Sequence, residues 1–118
     1  MKTYRSMVLI SHDPASIQLG ADAVQAAFLR ELARFDLQDE VSVSLIEDIG
    51  KSFASPLVIV YPEAVIYGRV TVEDVPHLVE EHLYKGRIVE EKVAPSHELS
   101  GRVAWVSARK GTLPAVSR

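Results

Sequence analysis

The chain of 118 residues carries 13 basic and 16 acidic side chains, a formal net charge of −3, and no cysteine. This length predicts one domain, which buries roughly two-thirds of the surface of its unfolded chain and needs no disulfide cross-links. The lack of cysteine excludes disulfides, thiol chemistry and cysteine-ligated metals, and the negative charge gives no general attraction for nucleic acid.

The first predicted elements are a strand and a helix. Residues 7–10, MVLI, form a short apolar run typical of a buried strand. This run is too short for a signal peptide or a membrane span, so we expect a cytoplasmic protein with no membrane insertion. Apolar side chains recur every three or four positions between residues 15 and 35, which predicts an amphipathic helix. Asp13 and Pro14 suit its cap and first turn.

Strand-forming residues dominate the middle of the chain. Residues 41–45 alternate valine or leucine with serine, which predicts a strand with one wet face. Residues 57–61, LVIVY, predict a central strand that is buried on both faces. The apolar run at residues 64–70 follows so closely that the two runs predict an antiparallel hairpin.

A second amphipathic helix is predicted over residues 71–87. Pro76 lies deep in this pattern, so we expect the regular helix to begin near Val75, after a separate turn. Lys85 and Gly86 form a stop signal. The complete order is β-α-β, then a β-hairpin, then α, with helices packed on a single mixed sheet. This is the thioredoxin-like α/β arrangement, but the order alone does not separate it from other small α/β folds.

The composition changes after Val93, since residues 99–118 contain basic but no acidic side chains. We therefore predict a thioredoxin-like domain over residues 1–93 and a basic C-terminal extension or linker over residues 94–118. Within that extension, residues 101–108 suit an additional edge strand.

The loop after the first strand contains the consecutive polar residues Ser11, His12 and Asp13. Three neighbours in one turn rarely converge as a catalytic triad, and the G-x-S-x-G motif is missing, so no catalytic residue is predicted. His12 and Asp13 with Asp48 would make only a weak, unselective metal-ligand set, so no metal site is predicted.

Residues 56–93 have the sequence PLVIVYPEAVIYGRVTVEDVPHLVEEHLYKGRIVEEKV. This stretch resembles the thioredoxin-like [2Fe-2S] ferredoxin domain of complex-I-type NADH dehydrogenases, NAD-linked hydrogenases and formate dehydrogenases. The YPE turn, the EDVP start of the last helix and the connection LQDEV at residues 37–41 carry the resemblance, which runs from about Met7 to Val93. One departure is Ala64, where the family pattern leads us to expect glycine.

The resemblance places four cluster ligands in the loops after the first and second strands. Counting without gaps, the first pair of family cysteines falls on Ser11 and Ser16, and counting back from Pro56, the second pair falls on Asp48 and Ser52. None of these residues is cysteine, and even Rieske centres need two cysteines with two histidines. We therefore expect a degenerate site with no [2Fe-2S] cluster and no other cofactor.

Two functional hypotheses remain. In the first, the chain is a cluster-free structural or interaction module, not catalytic by itself, that binds the flavin- and NADH-binding subunit of an NADH dehydrogenase, hydrogenase or formate dehydrogenase. In the alternative, it binds a small molecule or a metal in a vacant cluster pocket lined by Ser11, His12, Asp13, Asp48 and Ser52. The family also leads us to expect that a homodimer can form.

Overall fold

The computed structural model of the chain describes residues 3–47 and 54–99. The strands are β1 (Ser6–Ser11), β2 (Val41–Ile46), β3 (Val58–Tyr61) and β4 (Val65–Tyr67). The helices are α1 (Pro14–Gln18), α2 (Ala21–Arg34) and α3 (Val75–Leu78). A 3-10 turn (Val72–Asp74) precedes α3, a π-helical turn (Val79–Tyr84) continues it, and two further 3-10 turns follow (Glu90–Lys92 and Ser96–Glu98).

The four strands form one mixed sheet in the order β2-β1-β3-β4. Strand β1 pairs in parallel with β2 and antiparallel with β3, and β3 and β4 form the antiparallel hairpin. The predicted α/β class, with a β-α-β unit followed by a hairpin and a helix, is confirmed.

Apolar side chains are buried on both faces of this sheet. One face packs against the helices and forms the main core, in which the largest fully buried side chains include Val8, Ile10, Phe28, Leu32 and Tyr67. A smaller cluster lies on the other face and contains Ala54, Leu57, Ile59, Ile66, Ala94 and Leu99. Burial of apolar surface, worth about 25 cal/mol per Å², is the main source of the stability of this fold.

The long helix predicted over residues 15–35 is divided in two. The break lies at Leu19 and Gly20, and Gly20 has φ +104°, in the left-handed region that favours glycine. The last helix agrees more closely with its prediction. Thr71 and Asp74 form a capping box, the regular α-helix begins at Val75, and Gly86, with φ +78°, follows the helical end.

The domain boundary predicted after Val93 is untested and stays a prediction. Among the described residues, Val93 forms a bridge with Tyr67, the Ala94 amide donates to the Ile66 carbonyl over 2.9 Å, and Leu99 is buried. The predicted edge strand at 101–108 lies outside the described residues. Within residues 3–47 and 54–99, no helix is long and apolar enough to cross a membrane.

The backbone conformation of the turn between β3 and β4 explains why glycine is expected at position 64. Ala64 has φ +60°, a left-handed conformation that costs an L-residue roughly 1 kcal/mol. We expect Ala64→Gly to raise the free energy of unfolding by about 0.5–1 kcal/mol, measured by urea denaturation. The control is Ala26→Gly in the exposed interior of α2, where the same change should lower stability by about 1 kcal/mol. If the two substitutions changed the free energy of unfolding equally, the left-handed conformation assigned to Ala64 would be contradicted.

Candidate functional site

The candidate site lies where β1 ends and α1 begins. Ser11 is the last residue of β1, and its amide donates to the Leu57 carbonyl over 2.9 Å, while the Leu57 amide donates to Ser11 Oγ over 2.8 Å. On the other side, the His12 amide donates to the Ile46 carbonyl over 2.9 Å. The carboxyl end of β1 is therefore fixed from both neighbouring strands.

Ser11 and Ser16, the positions that match the first pair of family ligands, lie side by side. Both residues are fully buried, and their Oγ atoms are 2.8 Å apart. Ser16 donates its hydroxyl proton to Asp13 Oδ1 over 2.6 Å, so the proton between the two serines must come from Ser11. The hydrogen bonds therefore run in one direction, from the Leu57 amide through Ser11 and Ser16 to Asp13. We call these residues the serine network.

The carboxylate of Asp13 accepts the last hydrogen bond of the serine network, which Ser16 donates. Partial burial acts to raise the pKa of Asp13, but hydrogen bonds from the Ser16 hydroxyl and from nearby backbone amides outweigh it and leave the pKa lowered. The ionised form is the better acceptor, so the network and the negative charge stabilise each other.

His12 takes no part in this network. Its Nε2 lies 2.8 Å from Asp22 Oδ1 on α2, and its side chain is 22% exposed. Ser11 and Asp13 both contact Ser16, whereas His12 contacts Asp22, so the three neighbours form no charge-relay triad. Asp48 and Ser52, the positions that match the second ligand pair, lie outside the described residues. Within the described ranges, no group of three or more histidine, aspartate or glutamate side chains could hold a metal ion.

A second hydrogen-bonded network, formed largely by buried groups, was not predicted from the sequence. The Val89 amide donates to the Tyr67 hydroxyl over 3.1 Å, the hydroxyl lies 2.6 Å from His82 Nδ1, and His82 Nε2 lies 3.2 Å from Glu63 Oε1. Burial raises the pKa of Tyr67 to about 12, so its hydroxyl stays protonated and serves as a donor. This second network joins the β3–β4 hairpin to the helical turn that follows α3. The only signal in the sequence was the placement of His82 on the apolar helix face.

We expect Ser16→Ala to break the serine network and lower the free energy of unfolding by about 1–3 kcal/mol, because the buried Ser11 hydroxyl loses its acceptor and Asp13 loses a donor. Urea denaturation measures this loss. The control is Ser44→Ala at an exposed position of β2, which should change stability by less than about 0.5 kcal/mol. If the two variants were equally stable, the serine network would have no structural role.

The lowered pKa of Asp13 predicts a dependence of stability on pH. A carboxylate with a lowered folded-state pKa stabilises the fold above its unfolded value, near 3.9, and this contribution disappears as the pH falls through the folded value. Asp13→Asn should therefore lose less stability than the parent between about pH 5 and pH 2. Glu73→Gln, at an exposed site, is the control and should follow the parent, as measured by thermal unfolding at each pH. Identical profiles for Asp13→Asn and the parent would contradict this prediction.

Known proteins resemble the chain in sequence and in fold. It is 44% identical over 62 residues to a 2Fe-2S ferredoxin of Clostridium pasteurianum, covering 52% of this chain and 61% of that protein. It is 53% identical over 38 residues to a 2Fe-2S ferredoxin of Aquifex aeolicus, covering 32% of this chain and 34% of that protein. The matches thus span less than two-thirds of either relative. No protein-family model matches the chain.

The crystal structure of the wild-type thioredoxin-like [2Fe-2S] ferredoxin from Aquifex aeolicus superimposes with a TM-score of 0.71 at 28% identity. The alignment covers 79% of this chain and 99% of that chain. The predicted thioredoxin-like fold is therefore confirmed.

These relatives contradict the expectation that the chain has no cofactor, because they are named as 2Fe-2S ferredoxins. That expectation rested only on the absence of cysteine from the sequence. The described residues nevertheless do not fit the usual four thiolates, since hydroxyls already engaged in hydrogen bonds occupy both described ligand positions and the chain has no cysteine. We therefore assign no electron-transfer step. In sequence and in fold, the chain is similar to thioredoxin-like [2Fe-2S] ferredoxins.

Proposed function

We propose that this chain is a protein-interaction module that packs on the flavin- and NADH-binding subunit of an NADH dehydrogenase, hydrogenase or formate dehydrogenase. Its similarity to 2Fe-2S ferredoxins supports a redox protein as the class of partner. The proposed role is to hold the geometry of the assembly, without a catalytic step of its own, in the cytoplasm.

The observation that carries the proposal is an exposed apolar rim beside the serine network. Ile17, on α1, is 42% exposed, and Leu19, just after that helix, is 60% exposed. Large apolar side chains grouped on a surface mark sites of protein association. Full burial of an exposed aliphatic side chain is worth about 1.5–3 kcal/mol, and because these two side chains are already about half buried, covering each of them supplies roughly half of that.

The serine network holds this rim in a fixed position. Ser16 lies on α1 next to Ile17, and its hydroxyl joins α1 to Ser11 at the end of β1. Gly20 then turns the chain sharply into α2. A surface that is ordered before binding loses less conformational entropy when a partner arrives, which favours docking at the rim.

The test is isothermal titration calorimetry of the full chain with the purified flavin- and NADH-binding subunit. We expect Leu19→Asp to weaken binding at least tenfold, because it places a charge in the apolar contact. The control is Leu29→Asp, which changes an equally prominent leucine on α2 that is 52% exposed and should shift the dissociation constant less than about twofold.

Two results would overturn the proposal. One is no binding of the parent chain at concentrations up to about 100 μM, and the other is an equal loss of affinity in both variants. Iron and acid-labile sulfide are measured in the same preparations, so that each affinity refers to a defined cofactor content.

A further inference from the structure

The two faces of the sheet are covered to different extents. The helices pack on one face, and on the second face the smaller cluster covers the half formed by β3 and β4, where Ile59 and Ile66 are buried. The half formed by β1 and β2 is more open. Met7 lies on this second face, two positions before Leu9, and is 42% exposed. The described residues therefore leave part of the second face uncovered.

A groove of about 440 Å³ lies on this open half, beside the amino ends of β1 and β2. Its lining includes Tyr4, Met7, Ser42, Tyr61 and Pro62. Tyr4 is 41% exposed, and Tyr61 packs partly against the smaller cluster. Two tyrosine rings and a thioether suit an aromatic guest, since rings attract each other in edge or offset contacts and sulfur attracts ring edges. Serine and tyrosine hydroxyls can accept the N–H of an indole.

The chain reaches this same face just before residue 100. Leu99 is buried in the smaller cluster, against which Tyr61 also packs. The sequence continues as SGRVAWV, in residues that lie outside the described ranges. The six residues from Leu99 to Trp105 can span up to about 20 Å, whereas the three spacings between four strands add up to about 14 Å. A segment that leaves Leu99 can therefore cross the whole face within six residues.

The segment after Leu99 carries apolar groups that match the groove. Val103 and Trp105 are two positions apart, so in an extended chain both point to the same side. A buried tryptophan contributes roughly 150–250 Å² of contact surface, and its ring N–H needs an acceptor. A groove lined by rings, a thioether and hydroxyls supplies both requirements.

Charge also favours association of this segment with the rest of the chain. Residues 100–118 contain four basic and no acidic side chains. Of the 13 basic and 16 acidic side chains in the whole chain, nine basic and all 16 acidic ones therefore lie in residues 1–99, which have a net charge of −7. Opposite charges attract over roughly 8–10 Å at physiological salt. The segment is therefore drawn to the domain from which it extends.

We propose that residues 101–108 fold back over the open half of the second face and that Trp105 occupies the groove between Tyr4, Met7 and Tyr61. The covalent link holds the segment near the groove at an effective concentration in the millimolar range, so a contact of modest affinity keeps it bound. A separate protein has no such advantage, which is the reason for choosing this occupant. In this arrangement the C-terminal residues complete the domain and are not a linker.

The test is the fluorescence of Trp105, which is the only tryptophan in the chain. We expect emission at shorter wavelength than in the urea-unfolded chain and an acrylamide quenching constant at least about threefold smaller, because the indole is buried. Met7→Glu places a charge in the groove and should raise the quenching constant at least about twofold. The control is Leu29→Glu on α2, which is 52% exposed and should leave the constant within about 1.2-fold of the parent.

Nuclear Overhauser effects between the indole protons of Trp105 and the methyl protons of Met7 identify the site in the parent chain. They decide the matter even if circular dichroism shows that Met7→Glu is unfolded. Emission equal to that of the unfolded chain would contradict the proposal, as would a buried indole without these effects to Met7. Burial that appears only as the concentration rises from about 1 μM to about 1 mM would assign the segment to another copy instead. Each measurement uses the isolated chain, so none depends on the redox subunit or the apolar rim.

Discussion

Strand β1 is the element on which both cores and the candidate site depend, because it is hydrogen-bonded along both edges. Alternate side chains of a strand point to opposite faces, so Val8 and Ile10 enter the main core while Leu9 lies against the smaller cluster. Ser11 continues the alternation on the side of Leu9 and is fully buried. A buried hydroxyl must have partners, and the geometry of this strand end determines which groups are near enough to supply them.

The partners of Ser11 connect the end of β1 to α1, which follows it directly, and to the start of β3, which is distant in sequence. Its oxygen accepts from Leu57, just before β3, and its proton reaches Ser16 on α1. Such a network is rigid when each of its donors and acceptors is hydrogen-bonded. Removing one member lowers the stability of the fold, because the protein interior screens charge poorly. The apolar rim at Ile17 and Leu19 therefore takes its position from the core, although both side chains lie at the surface.

Periodicity in the sequence was sufficient to predict the elements and their order, because apolar faces and turn residues are local signals. The stop at Gly86 and the late start at Val75 were predictable for the same reason. The break at Gly20 was not, since the helical spacing of apolar residues continues across it and only the backbone angle shows the turn.

The candidate site was predictable only in part. Its position after β1 followed from the topology, and the adjacency of Ser11 and Ser16 agrees with their spacing in one loop and turn. The hydrogen bond from the Leu57 amide to Ser11 depends on the register between β1 and β3, which no local sequence pattern specifies. The pairing of His12 with Asp22 likewise joins residues ten positions apart across the break between the helices. The absence of cysteine from the sequence also led to the expectation of no cofactor, and the relatives contradict that expectation.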